Sequence, residues 1–365
     1  MAARKFIFWA VLTVLFAAEM SAQDVRLHGY ERLEPARPLY GKADTVSMLI
    51  IGDVMMHSRQ MEYPCKTFLE NISGRLKAAD VAVANMEFTL AGKPYTGYPA
   101  FSAPDSYAEY VHECGVDVFL TANNHILDKG TRGLERTISV YRKMEDEGKI
   151  RFTGTSSDTK DNADRNPLIV NVSGIRLALV NFTYGTNLGG GDEKVAKMRK
   201  DEISQTLSRA REKMADFIIV LPHWGVEYNL HHSKSQEAMA EWLVSCGTDA
   251  IVGAHPHVVQ DSAAISGVPV FYSLGNAVSN MSAPNTQLEL AVELKFVRSE
   301  NGDRSMLPPT VTYLWCSLPG FFTDSYATIA VKDFIGRREL WKNPSDYDKM
   351  LATYRRVKSA TGVQD

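Results

Sequence analysis

Four cysteines in 365 residues cannot staple a fold, which excludes a small disulfide-framed scaffold and leaves a hydrophobic core to carry stability. Cys114 and Cys246 each precede a glycine at an expected helix end and read as small buried apolar side chains. An excess of positive charge is also missing: 40 Lys+Arg stand against 43 Asp+Glu, a net charge of −3. With no basic stripe along the chain, nucleic acid is excluded as the main partner. Beyond the N-terminus no apolar run approaches the about 18 residues a membrane helix needs. No low-complexity stretch or Pro/Gly/Ser linker interrupts the chain, so residues 46–365 are expected to form one domain.

The N-terminus holds the one long apolar run. Ala3-Arg4-Lys5 precedes apolar Phe6 to Ala18 and a small-residue exit at Ser21-Ala22-Gln23. This pattern predicts a secretory signal peptide over residues 1–22, too short to span a bilayer comfortably. Residues 23–45 are polar and irregular and are expected to be a tether. The mature protein is therefore expected to be exported, periplasmic or associated with the cell envelope, and held at a membrane only if the segment stays uncleaved.

What the chain does have is a repeated local plan. Ala78-Ala79-Asp80 leads through Val81-Ala82-Val83 to Asn85-Met86-Glu87, and Cys114-Gly115-Val116-Asp117 through Val118-Phe119-Leu120 to Asn123-Asn124-His125. Met214-Ala215-Asp216 leads through Phe217 to Val220 to His223-Trp224, and Cys246-Gly247-Thr248-Asp249 through Ala250-Ile251-Val252 to Gly253-Ala254-His255-Pro256-His257. A fifth apolar strand, Val46 to Ile51, ends in Gly52-Asp53. The first four units share a plan: a helix end, a turn, a short buried strand, then a polar residue able to bind metal. Sites in α/β sheets gather outside the carboxyl ends of strands. In extended backbone, residues two apart share a side, so His255 and His257 are expected to aim at one point, with Gly253 allowing close approach or positive φ.

The chemistry of each residue type suggests a role. Asp53 offers a carboxylate at a strand tip, Glu87 one that can bridge two cations, and Asn124 an amide oxygen. His223, His255 and His257 offer imidazoles, the commonest metal ligands in proteins. His125, beside Asn124, is free to serve as an acid, with Asp128 accepting from its other ring nitrogen. His57 is placed either on the metal or facing substrate, while Asn85, Asn123 and Asn276 are expected to shape the site. His231 and His232 have no strand behind them and are left out. The glycine-rich run from Asn187 to Asp192 lacks nucleotide-loop spacing and is expected only to be flexible. Asp53 and Glu87 supply two negative charges against four from two divalent cations, so residual positive charge would attract an anionic substrate and acidify a water. Imidazole with carboxylate and amide oxygen suits Mn, Zn or Fe.

In this order Gly52-Asp53, Asn85-x-Glu87, Asn123-Asn124-His125-x-x-Asp128-x-Gly130, His223-Trp224-Gly225, Gly253-x-His255-Pro256-His257 and Ser273-Leu274-Gly275-Asn276 resemble the CapA capsule-synthesis family. That family is associated with poly-γ-glutamate production and export and is related to calcineurin-like metallophosphoesterases. The resemblance covers roughly Val46 to Asn280. It implies an α/β fold, a four-layer α/β/β/α sandwich, with Asp53 and His257 on one metal and Asn124, His223 and His255 on the other. Glu87 would bridge them, and His125 would be the general acid. Two departures stand out: Asp53-x-x-x-His57 replaces the superfamily's Asp-x-His, and Glu87 replaces a bridging Asp. Three functions follow: an exported metal-dependent hydrolase acting on an anionic envelope or capsule polymer, a non-catalytic metal-containing partner in polymer synthesis or export, or a periplasmic phosphoesterase for small phosphorylated substrates.

Overall fold

The computed structural model describes residues 44–191 and 193–365. The expected signal segment (1–22), nearly all of the tether and Asp192 lie outside the described residues. Asp44 and Thr45, expected to end the tether, instead open the first strand, because pairing with Arg298 and Val297 gives their backbone groups partners.

The elements in chain order are β1 Asp44–Val54, α1 Glu70–Ala78, β2 Val81–Met86, α2 Asp105–Glu113, β3 Val118–Leu120, α3 Gly130–Asp146, β4 Arg151–Thr153 and α4 Thr159–Arg165. There follow β5 Leu168–Val172, β6 Ile175–Thr183, α5 Lys200–Glu212, β7 Phe217–His223, α6 Lys234–Ser245, β8 Ala250–Val252, β9 Ser262–Ile265, β10 Val268–Phe271 and β11 Asn276–Val278. The last are β12 Leu288–Arg298, β13 Arg304–Met306, β14 Thr310–Ser317, β15 Ala327–Ala330, α7 Val331–Phe334 and α8 Pro344–Thr361. One sheet runs β15-β14-β12-β1-β2-β3-β4, with β11 beside β1 and β13 beside β12; the other runs β5-β6-β7-β8-β10-β9. Strands β1 to β4 are mutually parallel, as are β6, β7, β8 and β10.

Side-chain alternation builds the layers. Val46, Met48 and Ile50 of β1 face the second sheet, packing in one cluster with Leu177, Leu179, Ile219 and Leu221. Ile51 faces the other way, with Ile72 and Leu76 of α1, Val111 of α2 and Leu134 of α3. On the far side of the second sheet, Ile218 and Val220 meet Ile203 and Leu207 of α5 and Leu243 of α6. Strands buried on both faces read as continuous apolar runs, which is why Phe217 to Val220 shows no alternation. The result is the α/β/β/α sandwich that the resemblance implies. Helix α3 shows the matching helical period, burying Leu134, Thr137, Ile138, Tyr141 and Met144 on one face.

Three local features refine this picture. The apolar stretch before β2 is not one continuous helix: Cys65–Thr67 is a separate 3-10 turn, and Leu69, at φ −115° and ψ 4°, is not helical. Its backbone N–H donates to the Tyr110 hydroxyl at 2.9 Å, an alternative to a helical carbonyl. The C-terminal helix α8 lies outside the site but is no appendage. Trp315 Nε1 and Ser317 Oγ donate to buried Asp346 at 3.0 and 2.6 Å, and Tyr347, Met350 and Val357 extend the inter-sheet core. Cys246 is only partly buried, whereas Cys114 is fully so, and all four cysteines are free. No helix among the described residues is long and apolar enough to cross a membrane.

Candidate metal centre

Parallel strands of adjacent elements end at the same level, so their tips bring the sequence-marked residues together. Asp53 lies in register with Asn85 and with Asn276, and His223 pairs with Ala254. Three marked strands (β1, β2, β3) belong to one sheet and two (β7, β8) to the other, so the site spans both sheets at one edge of their shared core. Close approach is enforced by glycine. A Cβ on Gly52 would stand 2.0 Å from the Gly275 carbonyl oxygen, and one on Gly253 would stand 2.3 Å from the Tyr272 carbonyl oxygen.

His255 and His257 do converge, with ring centroids 5.9 Å apart, but not through extended backbone. Both have positive φ, +100° and +57°, a region costly for residues with a Cβ and tolerated where the surroundings fix it. Here the surroundings are ionic and polar: His255 N–H donates to Asp53 Oδ2 at 3.2 Å, and His257 Nδ1 faces Asn276 Oδ1 at 2.9 Å.

The expected ligands surround Glu87. Its Oε1 lies 3.6 Å from His223 Nε2, 3.8 Å from His257 Nε2 and 4.0 Å from His125 Nε2. Asn124 Oδ1 is 2.8 Å from His223 Nε2, and His257 Nδ1 is 3.4 Å from Asp53 Oδ2. Among the described residues three groups have donor atoms within 4.8 Å of one another: Asp53, Glu87 and His257; Glu87, His223 and His255; and, on the cleft side, Glu227, His255 and His257. Both oxygens of Glu87 and Nδ1 of His255 are buried without a hydrogen-bond partner. Buried polar groups are seldom left so, and this donor set of carboxylates, imidazoles and an amide oxygen fits divalent transition metals.

Burial shapes the protonation of the set. Burial first, then neighbouring Asp53, pushes the Glu87 carboxyl well above its usual range. Burial pulls His257 down, but Glu87, Asp53 and Asn276 together outweigh it and lift the imidazole to about 10. Burial and then His257 lower His255 to about 3, and burial with His255 holds His223 well below its usual value. Both shifts favour the protonated forms, so a bound cation would compete with protons for Glu87 and His257.

The supporting residues take distinct places. Asn85 Nδ2 donates to Asp53 Oδ1 at 2.6 Å and lies 3.1 Å from His223 Nδ1. Asn123 donates to the Met86 carbonyl at 2.8 Å and accepts from the His125 N–H at 3.1 Å, so it holds two strand tips together. His125 Nδ1 meets Asp128 Oδ2 at 2.7 Å, as expected, and the same oxygen accepts from Phe101 N–H at 2.8 Å. His57 is not among the donor groups: its Nδ1 lies 3.1 Å from Gln60 Oε1 and 3.3 Å from Asn280 N. Burial lowers it to about 4, and it lines the cleft instead.

Several site residues escaped the sequence reading. Asn187 caps the site, its N–H donating to the Asn124 carbonyl at 2.8 Å, so the glycine-rich run is tied down at its first residue. Tyr184 packs against His255 at 4.6 Å between ring centroids. Glu289, fully buried in β12, accepts from Gly52 N–H at 2.5 Å directly behind Asp53, and burial raises its pKa. Glu227 lies four residues past His223, and that spacing within one loop was the available signal. His231 and His232 pair with Asp261. A cleft of about 680 Å³ opens over the centre, lined among others by Tyr98, His125, Glu227, Tyr228 and His257.

Fold and centre together define a two-sheet α/β sandwich with a buried histidine–carboxylate cluster at its strand tips. Residues 47–281 match the family described as "Bacterial capsule synthesis protein PGA_cap", and the chain belongs to that family. A capsule biosynthesis protein CapA of Bacillus anthracis is 30% identical over 275 residues, 70% of this chain and 66% of that protein. A PGA biosynthesis protein CapA of Bacillus subtilis is 25% identical over 283 residues, 73% and 71% of the two chains. A solved 5'-nucleotidase from Candida albicans superposes with a TM-score of 0.45 at 11% identity, over 87% of this chain and 59% of that one.

Proposed function

We propose that this protein is an exported, metal-dependent hydrolase that acts on an anionic envelope or capsule polymer of the polyglutamate type. The observation that carries the reading is Glu87: a fully buried carboxylate with two unpartnered oxygens, common to two donor groups. Two divalent cations held by Asp53, Glu87, Asn124, His223, His255 and His257 would polarise the scissile group and acidify an attacking water. The chain's own residues do the rest. Asp128 holds the His125 ring through Nδ1, leaving Nε2 to deliver a proton to the leaving group. Asn85 and Asn276 orient His223, Asp53 and His257, and Phe101 braces the ring of His125 edge-on at 4.7 Å.

The cleft lining contains no lysine or arginine among the described residues. Charge that receives an anionic group therefore has to come from the bound cations. The relatives named for capsule and PGA biosynthesis supply the polymer class.

Protein purified without chelator is expected to carry up to two transition-metal equivalents by elemental analysis. Less than about half an equivalent, with none regained on dialysis against Mn or Zn, sinks this reading. The loaded protein is then assayed against a phosphodiester, a phosphomonoester and a γ-glutamyl polymer; polymer binding without turnover of any of them replaces the hydrolase with a non-catalytic partner. Export has its own test. Mass spectrometry of native protein should find the mature N-terminus within a few residues of Ala22, and an intact Met1 in the membrane fraction would favour an anchor.

A further inference from the structure

We propose that Glu227 is a third carboxylate ligand of the centre, closing the metal pair from the cleft side. The inference rests on the two-metal reading above. Glu227, His255 and His257 form a donor group of their own, with atoms within 4.8 Å of one another. It shares His257 with the Asp53 group and His255 with the His223 group, so Glu227 lies across both positions. Nδ1 of His255, a residue only 3% exposed, is a buried donor or acceptor with no partner within the protein.

The loop bearing Glu227 is built to hold it there. Trp224 is buried and its Nε1–H donates to the Tyr272 carbonyl at 2.9 Å. Gly225 then turns the chain at φ +99°, where a Cβ would stand 2.6 Å from Gln236 Nε2. Tyr228 N–H donates to the carbonyl of Pro256, between the two histidines, at 2.9 Å. With Trp224 N–H also donating to the Ala254 carbonyl at 3.0 Å, Glu227 is exposed to the cleft but flanked on both sides by bonds to the loop of His255 and His257.

His57 is turned to Gln60 and Asn280, so it adds no donor to the group of Asp53, Glu87 and His257. Among the described residues, Glu227 is the one acidic side chain besides Asp53 and Glu87 that joins such a donor group, through His255 and His257. As a third carboxylate it would lower the excess charge of a dinuclear centre from two to one. Being on the open side, it would compete with an incoming anion for the same face.

The test measures Mn affinity of the full chain by calorimetric titration for wild type, Glu227→Gln, Glu87→Met and, as an exposed-carboxylate control, Glu241→Gln. Glu227→Gln should weaken at least one Mn site by about tenfold or more, with Glu241→Gln unchanged. The loaded Glu227→Gln protein should bind inorganic phosphate more tightly than loaded wild type. If Glu87→Met loses metal and Glu227→Gln does not, the inference falls and the two-metal reading stands. Equal losses in Glu227→Gln and Glu241→Gln would reduce the effect to general surface charge and also overturn it. A wild type that takes up no Mn overturns both.

Discussion

His125→Ala should lower turnover by about 10²–10⁴-fold while metal content stays at the wild-type value, whereas His255→Ala should lower both. The two histidines lie in the same centre, yet their nitrogens are committed differently. His125 has Nδ1 fixed at 2.7 Å to Asp128, and its backbone N–H is held by Asn123. Only Nε2 is left, 4.0 Å from Glu87 and facing the cleft, where a leaving group would emerge. His255 belongs to two donor groups and has an unpartnered buried nitrogen, so its loss removes metal as well as activity. Elemental analysis beside turnover on a verified substrate separates them. Wild-type turnover in His125→Ala makes His125 structural; metal loss as severe as in His255→Ala makes it a ligand.

Glu87→Met should abolish metal uptake at both positions and, in the same stroke, stabilise the metal-free protein. Glu87 is common to the two inner donor groups, so no substitution elsewhere removes a ligand from both. Its side chain is fully buried, and neither oxygen accepts a hydrogen bond within the protein, its histidine neighbours standing 3.6 to 4.0 Å away. An unsatisfied buried polar group costs about 1–3 kcal/mol, and methionine of similar length fills the space without that cost. Thermal unfolding in chelator should show the variant above wild type, and Mn should raise the wild type's midpoint but not the variant's. A variant less stable than wild type in chelator would mean that Glu87 has a structural partner in solution, and retained Mn binding would remove it from the centre. The sign of the chelator result is the informative part, because stability given up at a binding residue marks function rather than packing.

Most of the centre was legible because its residues obey short-range rules. A buried strand followed by a polar residue able to bind metal recurs at Asp53, Glu87, Asn124, His223 and His255, and parallel strands place such tips at one level. The His125–Asp128 pair followed from a spacing of three residues within one turn. What escaped depends on distant chain. Glu289 supports Gly52 from 237 positions away, and nothing local in β12 distinguishes it from any glutamate in a strand. Asn187 meets Asn124 from 63 positions away, a contact that no local pattern announces. His57 follows Asp53 closely in sequence, yet Gln60 and Asn280 turn its ring out of the donor set.

By itself, the sequence determined the α/β alternation and the strand tips that carry most of the candidate donor residues, since hydrophobic period and residue type are local properties. It did not determine how His255 and His257 converge. Extended backbone would place them on one side, but both adopt positive φ, a choice made by Asp53 and Asn276 from other strands. Only the tertiary structure decided that three of the marked tips sit in one sheet and two in the other. The apolar faces of both sheets bury each other, and that packing sets the separation at which Glu87 from the first sheet meets His223 from the second.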